Sequence, residues 1–324
     1  MKKRVFSGVR PTGRQHLGNY LGAIQNYVAM QGEYECVYCV VDVHALTTLT
    51  DTEGIIPSTR DIVLDWLAAG MDPERTIIIV QSHVPEVMEL HTYFSMLAPL
   101  GWLLRVPTFK EKVKQNPENV NYGLVGYPVL QAADILIYKA EAVPVGEDQL
   151  PHLEFTREIA RRFNNHFGET FPEPQAKLTN FPLIVGLDGS DKMGKSSNNT
   201  IDLAMTDEET KERVMSAVTD PARKYRKDPG HPEVCNIYKL DEYFNPLNRE
   251  AIAEQCRKAE IGCVEHKQML AAQINTTLKD FREKRAALAA KPKLVDEVLA
   301  DGAKRASVIA RETMKEVRQK MGLV

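Results

Sequence analysis

The feature that most constrains the fold is an alternation of short apolar runs with segments of helical spacing through the first half of the chain. Apolar runs occupy residues 5–9, 36–43 and 76–80, and amphipathic segments separate them. Strands that are apolar on both faces are typical of a parallel sheet covered by helices on both sides. The alternation therefore predicts βαβ units and a Rossmann-like, doubly wound parallel sheet of the α/β class.

The same alternation extends beyond residue 128. A helix is predicted over residues 129–139, a strand over residues 142–145, and an amphipathic helix over residues 153–167. Residues 172–199 are rich in Pro, Gly, Ser and Asn, a composition typical of loops. We therefore expect the sheet-forming part of the chain to end in a long loop.

The last third of the chain has a different character. No strand pattern follows residue 206, and an apolar stripe with helical spacing runs over residues 294–317. A chain of 324 residues is long enough for about two domains. We expect a Rossmann-like domain over residues 1–200 and an all-helical domain over residues 201–324, whose last helix is free to pack back on the first domain.

Charge and cysteine content exclude several classes of protein. The formal net charge of −3 excludes a protein that coats nucleic acid through bulk charge, but it leaves a local RNA-binding face open. The basic start at residues 1–4 precedes an apolar run that Ser7 and Gly8 interrupt, so no secretory leader is expected. No run approaches the roughly 18 apolar residues of a membrane span. Five cysteines in this length do not make a secreted disulfide scaffold, so we expect a cytoplasmic protein without a membrane or DNA partner.

Residues 16–19 (HLGN) follow the first predicted strand at the start of a helix. A helix N-terminus offers unpaired N–H groups to an anion, and Gly18 lets a phosphate approach the backbone. His16 and Asn19 carry side chains that can hydrogen-bond phosphate oxygens. Alone, the tetrapeptide is more typical of an ordinary helix start than of a nucleotide site, so it needs a second signal.

Residues 192–196 (KMGKS) supply that second signal, in the loop expected at the end of the first domain. Lys192 and Lys195 on a short Gly/Ser loop can move onto a triphosphate and neutralise its developing charge. A solvated basic loop is the ordinary interpretation of two nearby lysines. The two motifs together, in this order around an alternating α/β pattern, favour a nucleotide site instead.

In these motifs the chain resembles the class I aminoacyl-tRNA synthetases, with HLGN in place of HIGH and KMGKS in place of KMSKS. Over nearly its whole length it resembles the bacterial tryptophan-specific branch of that family in particular. The blocks that carry this resemblance are residues 6–8, 11–13, 41–45, 109–112, 127–128, 132–136 and 143–149.

The resemblance implies a tryptophan–tRNA ligase of protein biosynthesis that uses ATP and Mg²⁺. L-Tryptophan would attack the α-phosphorus of ATP through its own carboxylate and expel pyrophosphate, so no general base is needed. The 2′-hydroxyl at the end of tRNA(Trp) would then take the aminoacyl group. The family also implies a homodimer and a helical domain that contacts the anticodon arm. The catalytic roles are implied for His16, Asn19, Lys192 and Lys195.

The expected tryptophan site rests on residue chemistry and resemblance together. Gln131 and Asp134 are three apart on one predicted helix and share a face, with Tyr127 just before them. The indole ring has a single N–H donor, and a buried carboxylate is a good acceptor for it. The resemblance implies that Asp134 is this acceptor. It also implies contacts to the ring and the ammonium group from Phe6, Val143, Val145, Tyr127 and Gln149.

The expected ATP site follows from the resemblance. The implied contacts are Arg10, Pro11, Thr12, Gly18, Asn19, Gly146, Glu147, Asp148, Lys192, Met193, Gly194, Lys195 and Ser196. The commonest bacterial form has Gln at the position of Arg10, Met at that of Gln131 and Ser at that of Gly194. The glycine removes one hydroxyl and loosens the loop, so it bears on the rate more than on the identity of the reaction.

The cysteines fall into two groups. Cys36 and Cys39 lie in a predicted strand with side chains on opposite faces, so both are expected in the core. The second group lies in the helical domain, and its last two members have the spacing of metal ligands: Cys235, Cys256, Cys263 and His266. A subgroup of the family holds an iron–sulfur cluster on four cysteines at similar spacing. A structural Zn²⁺ or 4Fe–4S cluster is therefore one interpretation, and ordinary buried cysteines are the other.

Three alternative functions stay open at this stage. A tyrosine-specific relative would need a pocket built to hydrogen-bond a phenol. A small-metabolite adenylyltransferase shares the HIGH-type fold but does not need the helical domain. A non-catalytic tRNA-binding relative would be expected to lose the lysines, whereas Lys192 and Lys195 are both present.

Overall fold

Within the described residues, five strands form one parallel sheet. The computed structural model describes residues 2–115, 117–178 and 183–324, with the backbone alone at residues 107, 108, 111, 115 and 196. The strands are β1 (Arg4–Val9), β2 (Glu35–Val40), β3 (Thr76–Val80), β4 (Ala142–Val145) and β5 (Gln175–Leu178). Their order is β3-β2-β1-β4-β5, and every neighbouring pair is parallel. The predicted doubly wound parallel sheet is confirmed.

The helices in chain order are α1 (Leu17–Asn19), α2 (Gln25–Met30), α3 (Asp42–Ala45), α4 (Ile55–Ala68), α5 (Glu86–Leu97), α6 (Leu100–Leu103), α7 (Pro107–Gln115), α8 (Tyr122–Ile137), α9 (Leu150–Phe167), α10 (Asp207–Ser216), α11 (Asn236–Phe244), α12 (Arg249–Arg257), α13 (Cys263–Ala289) and α14 (Leu294–Lys320). A π-helical stretch, Tyr20–Ile24, joins α1 to α2. No helix in the described ranges is long and apolar enough to cross a membrane.

Contacts divide the chain into two compact units. The sheet unit contains the described residues within 1–13, 26–179 and 291–324, and the helical unit contains those within 14–25 and 180–290. The predicted domain boundary was at residue 200. The contacts instead group the HLGN and KMGKS segments with the later helices, and they group α14 with the sheet unit. The assignment of the helical part to tRNA binding stays a prediction.

Several predicted bounds in the sheet unit are wrong; for example, the helix predicted over residues 129–139 is α8, Tyr122–Ile137. The apolar run expected as a strand to residue 43 stops pairing at Val40, and α3 begins at Asp42. Asp42 turns the chain there, because its carboxylate accepts from the backbone N–H groups of Val43 (2.9 Å) and Ser82 (3.0 Å). The expected loop over residues 172–199 contains β5, which pairs with β4. Most side chains of β5 are exposed, so this edge strand has no apolar pattern to reveal it.

The point where the strand order reverses lies between β1 and β4. The chain passes from β1 outward to β2 and β3, and then returns to β4 on the other side of β1. In open parallel sheets, ligands bind outside the carboxyl ends of the strands at such a switch point. Arg10 directly follows β1 and Gly146 directly follows β4, so both predicted ATP segments of this unit lie at the switch point.

The helix α14 covers the free edge of the sheet. It packs against β3, and a Cβ atom added to Gly302 would lie 1.8 Å from the carbonyl oxygen of Ile78. The guanidinium of Arg305 donates to the carbonyl oxygens of Pro73 (2.7 Å) and Thr76 (3.4 Å). An uncovered edge strand is a template for pairing with another chain, and a covering helix removes it.

In the helical unit, α13 packs against α10 and α11. Arg282 of α13 donates to the side chains of Asp207 (2.8 Å) and Thr210 (2.7 Å) on α10. An isolated bridge joins His16 to Asp202, which fixes the HLGN segment within this unit.

Candidate active site

The carboxylate of Asp134 is buried at the carboxyl end of the sheet. It lies on α8 with 3% of the residue exposed, and the amide nitrogen of Gln81 donates to both of its oxygens (2.8 and 2.9 Å). The side-chain oxygen of Gln81 (Oε1) accepts in turn from the backbone N–H of His44 (2.9 Å). This chain of hydrogen bonds fixes the orientation of the carboxylate.

Burial makes the charged form of this carboxylate costly. Desolvation raises the pKa of Asp134 from 3.8 to about 8; the hydrogen bond from Gln81 acts to lower the pKa, and the nearby charge of Asp42 adds to the rise. A carboxylate that is held in a dry site and ionises near neutral pH is well suited to accept a hydrogen bond from a ligand.

Tyr127 carries a group of basic side chains around its ring. The ammonium nitrogen of Lys112 lies 3.4 Å from the ring centroid, and the rings of His44 and His152 pack edge-on at 5.8 and 5.3 Å. The hydroxyl of Tyr127 lies 3.4 Å from Nε2 of His152. A cation above a buried ring is an attractive cation–π arrangement.

Burial lowers the pKa of each of these basic groups. Desolvation, followed by the charges of Lys112 and Arg10, lowers the pKa of His44 to about 3. Desolvation and Lys112 lower the pKa of His152 to about 4. The pKa of Lys112 falls to about 8 by desolvation and by repulsion from Arg10. Both imidazoles are therefore neutral at pH 7, and Lys112 is the cation that can face a substrate anion.

The other residues of the expected tryptophan site fall into two sets. Phe6, Val143 and Val145 are buried in the same core cluster, and Phe6 stacks on Tyr138 with ring centroids 5.6 Å apart. Gln131 is half-buried on α8, and the amide of Gln149 donates to Asp148 (2.9 Å). Their roles toward a substrate stay predictions.

The ATP segments of the sheet unit are short loops at the switch point. The guanidinium of Arg10 is held by the carbonyl of Ala45 (3.2 Å) and the hydroxyl of Thr48 (2.5 Å), and burial lowers its pKa. Pro11 is buried and Thr12 is exposed. A Cβ atom added to Gly146 would lie 2.7 Å from the carboxylate of Asp148, so glycine permits the close approach of this turn. Glu147 and Asp148 are exposed beside it.

His16 caps α1 and has a defined tautomer. Its Nδ1 atom accepts from the N–H of Gly18 (3.1 Å), and its backbone N–H donates to the side-chain oxygen of Asn19 (3.1 Å). Desolvation and the charges of Lys195 and Lys192 lower the pKa of His16 to about 4, so the ring is neutral. An accepting Nδ1 leaves the ring proton on Nε2, which is therefore a hydrogen-bond donor.

The KMGKS loop is anchored at its centre by a buried methionine and a buried asparagine. Met193 is buried, and the buried side chain of Asn199 accepts from the N–H of Gly194 (2.8 Å) and donates to the carbonyl of Lys192 (3.1 Å). Lys192 is exposed and Lys195 is half-buried. Both lysines lie close enough to lower the pKa of His16, so the structure brings the two motifs together. The side chain of Ser196 lies outside the described residues.

The comparisons with known proteins agree with this geometry. The family model for tRNA synthetases class I (W and Y) matches residues 1–279. The chain belongs to this family. The tryptophan–tRNA ligases of Thermotoga maritima and Deinococcus radiodurans are each 46% identical to it over 327 residues, which cover 99% of this chain and 99% of either relative. A crystal structure of the Campylobacter jejuni tryptophanyl-tRNA synthetase complexed with ADP and tryptophan is similar with a TM-score of 0.90, at 36% identity, covering 99% of this chain and 100% of that chain.

The cysteine group of this class I synthetase gathers around one small cavity. The residues that line it include Cys235, Cys256, Cys263 and His266. The guanidinium of Arg223 lies between two of the thiols, 3.7 Å from Sγ of Cys256 and 3.8 Å from Sγ of Cys263. Among the described residues, no group of three or more His, Cys, Asp or Glu stands in metal-binding geometry.

His266 is paired with a buried carboxylate rather than with the thiols. Its Nε2 atom lies 2.6 Å from the carboxylate of Asp241, and both side chains are almost wholly buried. Metal-ligating histidines commonly hold such a carboxylate with the ring nitrogen that does not touch the metal. With Nε2 held by Asp241, Nδ1 is the ring nitrogen of His266 that a metal could use, and the guanidinium of Arg223 lies between two of the thiols. A metal on these residues stays a prediction.

Sequence reasoning missed Gln81, Lys112 and His152 as members of the site. Gln81 had an available signal, since a polar residue directly after a buried parallel strand lies at the ligand-binding edge of the sheet. Lys112 lies in the block 109–112 that carries the family resemblance, but nothing local placed it beside Tyr127, and His152 had no signal. Long-range folding brings both side chains to this ring. Cys36 and Cys39, expected in the core, are buried.

Proposed function

We propose that this class I synthetase is a tryptophan–tRNA ligase, which activates L-tryptophan with ATP and transfers it to tRNA(Trp). The observation that carries the proposal is the buried carboxylate of Asp134, held in place by Gln81 at the carboxyl end of the sheet. An indole has a single N–H donor, which an oriented carboxylate can accept. A phenol donates through its hydroxyl but also offers oxygen lone pairs, so a pocket for tyrosine needs a donor as well.

The adenylation step needs positioning and charge neutralisation. The carboxylate of tryptophan attacks the α-phosphorus in line, a bond forms between them, and pyrophosphate leaves with the electron pair. The neutral His16 can donate from Nε2 to a phosphate oxygen. Lys192 and Lys195 then neutralise the charge that grows on the leaving pyrophosphate. Arg10 and the turn at Gly146 hold the nucleotide in this proposal.

Mg²⁺ fits this site as an ion carried by the triphosphate. The described residues of the two motifs offer N–H and ammonium donors, which suit phosphate oxygens and not a cation. Magnesium in such sites keeps several waters and takes its remaining ligands from the substrate. Bound there, it would neutralise phosphate charge.

We further propose a homodimer in the cytoplasm, with the helical part binding tRNA. Several large apolar side chains of the sheet unit are exposed, including Met96 (78%), Leu100 (62%) and Tyr122 (67%). Such exposed groups are typical of a surface that another chain covers. Sedimentation of the wild type and of a Met96→Lys variant tests this: a monomeric wild type contradicts it.

The decisive experiment is amino-acid-dependent ATP–pyrophosphate exchange with tryptophan, tyrosine and phenylalanine. Tryptophan should support exchange, with tyrosine weaker by orders of magnitude. Asp134→Ala should raise the KM for tryptophan sharply, because the buried indole N–H loses a partner worth about 1–3 kcal/mol. The matched control is Asp301→Ala on α14, which should leave KM unchanged. Equal KM values in wild type and Asp134→Ala contradict the pocket assignment.

The same assay separates the alternatives. Exchange without any charging of tRNA favours a small-metabolite adenylyltransferase, and tRNA binding without exchange favours a non-catalytic relative. ATP–pyrophosphate exchange that depends on tyrosine favours a tyrosine-specific enzyme.

We separately propose that the cysteine group with His266 binds a structural Zn²⁺. A 4Fe–4S cluster is the alternative, and it is less well suited to an imidazole ligand. Elemental analysis of anaerobically purified protein should find about one zinc, or iron at cluster stoichiometry. Cys263→Ser should then weaken tRNA charging and leave exchange nearly intact. Protein with neither metal near one equivalent contradicts the proposal and returns these residues to the role of buried thiols.

A further inference from the structure

One buried amide side chain cross-links the loop that carries KMGKS. Asn199, of which 2% is exposed, follows the motif. Its side-chain oxygen accepts from the backbone N–H of Gly194 (2.8 Å). Its amide nitrogen lies within hydrogen-bonding distance of the carbonyl oxygen of Lys192 (3.1 Å), the hydroxyl of Ser190 (2.9 Å) and the carboxylate of Asp188 (2.9 Å). This side chain therefore joins the start of the motif, its centre and the turn that precedes it.

The carboxylate of Asp188 sets the direction of this amide. Its Oδ1 atom accepts from the hydroxyl (2.6 Å) and the backbone N–H (3.1 Å) of Ser190, in addition to the amide of Asn199. Hydrogen bonds from Ser190 and Asn199 lower the pKa of Asp188 to about 2, so its carboxyl is ionised at neutral pH. An ionised carboxylate can only accept hydrogen bonds. Asn199 must therefore turn its nitrogen toward Asp188, which leaves its oxygen for the N–H of Gly194.

Glycine at position 186 makes room for this amide. A Cβ atom added to Gly186 would overlap the amide nitrogen of Asn199, and it would lie 2.6 Å from both the hydroxyl of Ser190 and the carboxylate of Asp188. The backbone of the turn also meets Asn199, since the N–H of Leu187 donates to its carbonyl oxygen (3.0 Å). A side chain at position 186 would therefore displace the amide of Asn199.

Two helices of the same unit hold the base of the loop. Asn236, at the start of α11, is buried, and its amide donates to carbonyl oxygens at both ends of the turn 186–190 (2.8 Å each). Arg213 of α10 donates to the carbonyl oxygens of the two neighbours of Asn199 in sequence, at 2.6 and 3.1 Å. The helices thus fix the ends of the segment, and Asn199 fixes the motif between them.

In this arrangement both lysines of the motif lie near His16. After burial, the charges of Lys195 and Lys192 are the causes that lower the pKa of His16. The HLGN and KMGKS segments belong to one compact unit, so the cross-link at Asn199 acts on the spacing between them. Charged groups that are already in place do not have to be ordered during the reaction, which lowers its barrier.

We propose that Asn199 is a positioning residue of the adenylation step, which holds the backbone of KMGKS so that Lys192 and Lys195 meet the leaving pyrophosphate. Asp188 orients the amide of Asn199, and the glycine at position 186 leaves space for it. The effect of Asn199 on the reaction passes through the two lysines and not through contact with the nucleotide. This inference rests on the proposed function.

The test is the single-turnover rate of tryptophanyl-adenylate formation by the full-length protein at saturating ATP and tryptophan. Asn199→Ala should lower this rate about 10- to 100-fold, because a misplacement of about 1 Å can cost a factor of about 100. The KM for tryptophan should stay at the wild-type value, since Asp134 belongs to the other compact unit. The matched control is Ser197→Ala, exposed in the same loop, which should keep the wild-type rate.

Two further variants keep the result separate from a folding defect. Asp188→Asn replaces an exposed carboxylate by a group of the same shape. It should melt close to the wild-type temperature and still form the adenylate more slowly than wild type, with a smaller loss than Asn199→Ala. Gly186→Ala leaves Asn199 in place but displaces its amide, so its rate should be close to that of Asn199→Ala.

A double-mutant cycle tests whether Asn199 acts through a lysine. In a Lys195→Ala background, Asn199→Ala should lower the rate by less than about twofold, the usual error of additivity in such cycles. A purely structural role predicts the same fold-loss in both backgrounds, because misfolded protein would be lost whether or not Lys195 is present.

Three outcomes overturn the inference: a rate in Asn199→Ala equal to or above that of wild type, full additivity with Lys195→Ala, or a loss of rate that only follows the loss of folded protein on melting. A wild type without tryptophan-dependent ATP–pyrophosphate exchange would instead refute the proposed function. The same comparisons then apply to the amino acid that does support exchange, so the two failures are distinct.

Discussion

Gln81 should control the pH at which tryptophan binds. Burial raises the pKa of Asp134 to about 8, and Gln81 supplies the hydrogen bonds that lower it. With a pKa of about 8, the ionised fraction of Asp134 rises from about one-thirtieth at pH 6.5 to about one-half at pH 8. Because the charged form lies above this pKa, the KM for tryptophan should fall as pH rises from 6.5 to 8.

The size of the change follows from the two forms of the acceptor. A hydrogen bond to a charged group contributes about 1.5–3 kcal/mol, against about 0.5–1.5 kcal/mol for a neutral pair. The difference, about 1.4 kcal/mol, corresponds to about a tenfold change in KM. Gln81→Leu removes both hydrogen bonds, so the pKa of Asp134 should rise further. At pH 8, where about half of the wild-type Asp134 is ionised, the variant should then show a KM about fivefold above wild type.

The assay is the KM for tryptophan in ATP–pyrophosphate exchange, measured between pH 6 and 8.5 at saturating ATP. Asp134→Asn is the matched control, because its amide keeps an oxygen acceptor and does not titrate. Its KM should be nearly independent of pH in this range. A flat wild-type profile, or a Gln81→Leu profile with the wild-type midpoint, would refute the reasoning.

Other predictions follow from the loop and from α14. Lys195→Ala should depress kcat for adenylate formation far more than tryptophan affinity, since the lysine acts on charge that grows in the transition state. Lys192→Ala should have the same effect more mildly. Unchanged single-turnover rates of adenylate formation would contradict both predictions. Gly194→Ser should be tolerated, because an added Cβ meets nothing within 4 Å and the backbone is extended; a loss of thermal stability would contradict this. Gly302→Ala should lower the unfolding temperature severely, because its Cβ would overlap the backbone of β3. Gly54→Ala, at an open position, is the control, and equal melting of the two variants would show that α14 adjusts freely.

Much of the sheet could be predicted because its strands are buried on both faces. β3 and β4 have the predicted bounds, since polar or glycine residues flank their apolar runs: Arg75 and Gln81 for β3, Glu141 and Gly146 for β4. β5 could not be found, because an edge strand with exposed side chains pairs through its backbone alone. The start of α8 was also hidden: the helix begins at Tyr122, capped by Asn121, and Pro128 lies inside it.

The site residues also fall into those that local sequence could reveal and those that it could not. HLGN and KMGKS are contiguous in sequence and could be recognised there, and Asp134 could be inferred from its apolar neighbours. The residues that determine the pKa of His16 and the orientation of Asp134 could not be inferred from the sequence. The lowered pKa of His16 depends first on its burial in the folded chain and then on lysines about 180 residues away in sequence. The orientation of Asp134 depends on a glutamine from another strand end. Local patterns carry no information about such distances.

The covering of β3 by α14 makes the order of synthesis matter. β3 emerges from the ribosome long before the residues of α14, so the backbone carbonyls of Thr76 and Ile78 face water through most of translation. During that interval the nascent sheet has an open edge that can pair with another nascent chain. A premature stop before α14 would leave that edge open permanently, and aggregation, rather than loss of any reacting group, would be the cause of failure.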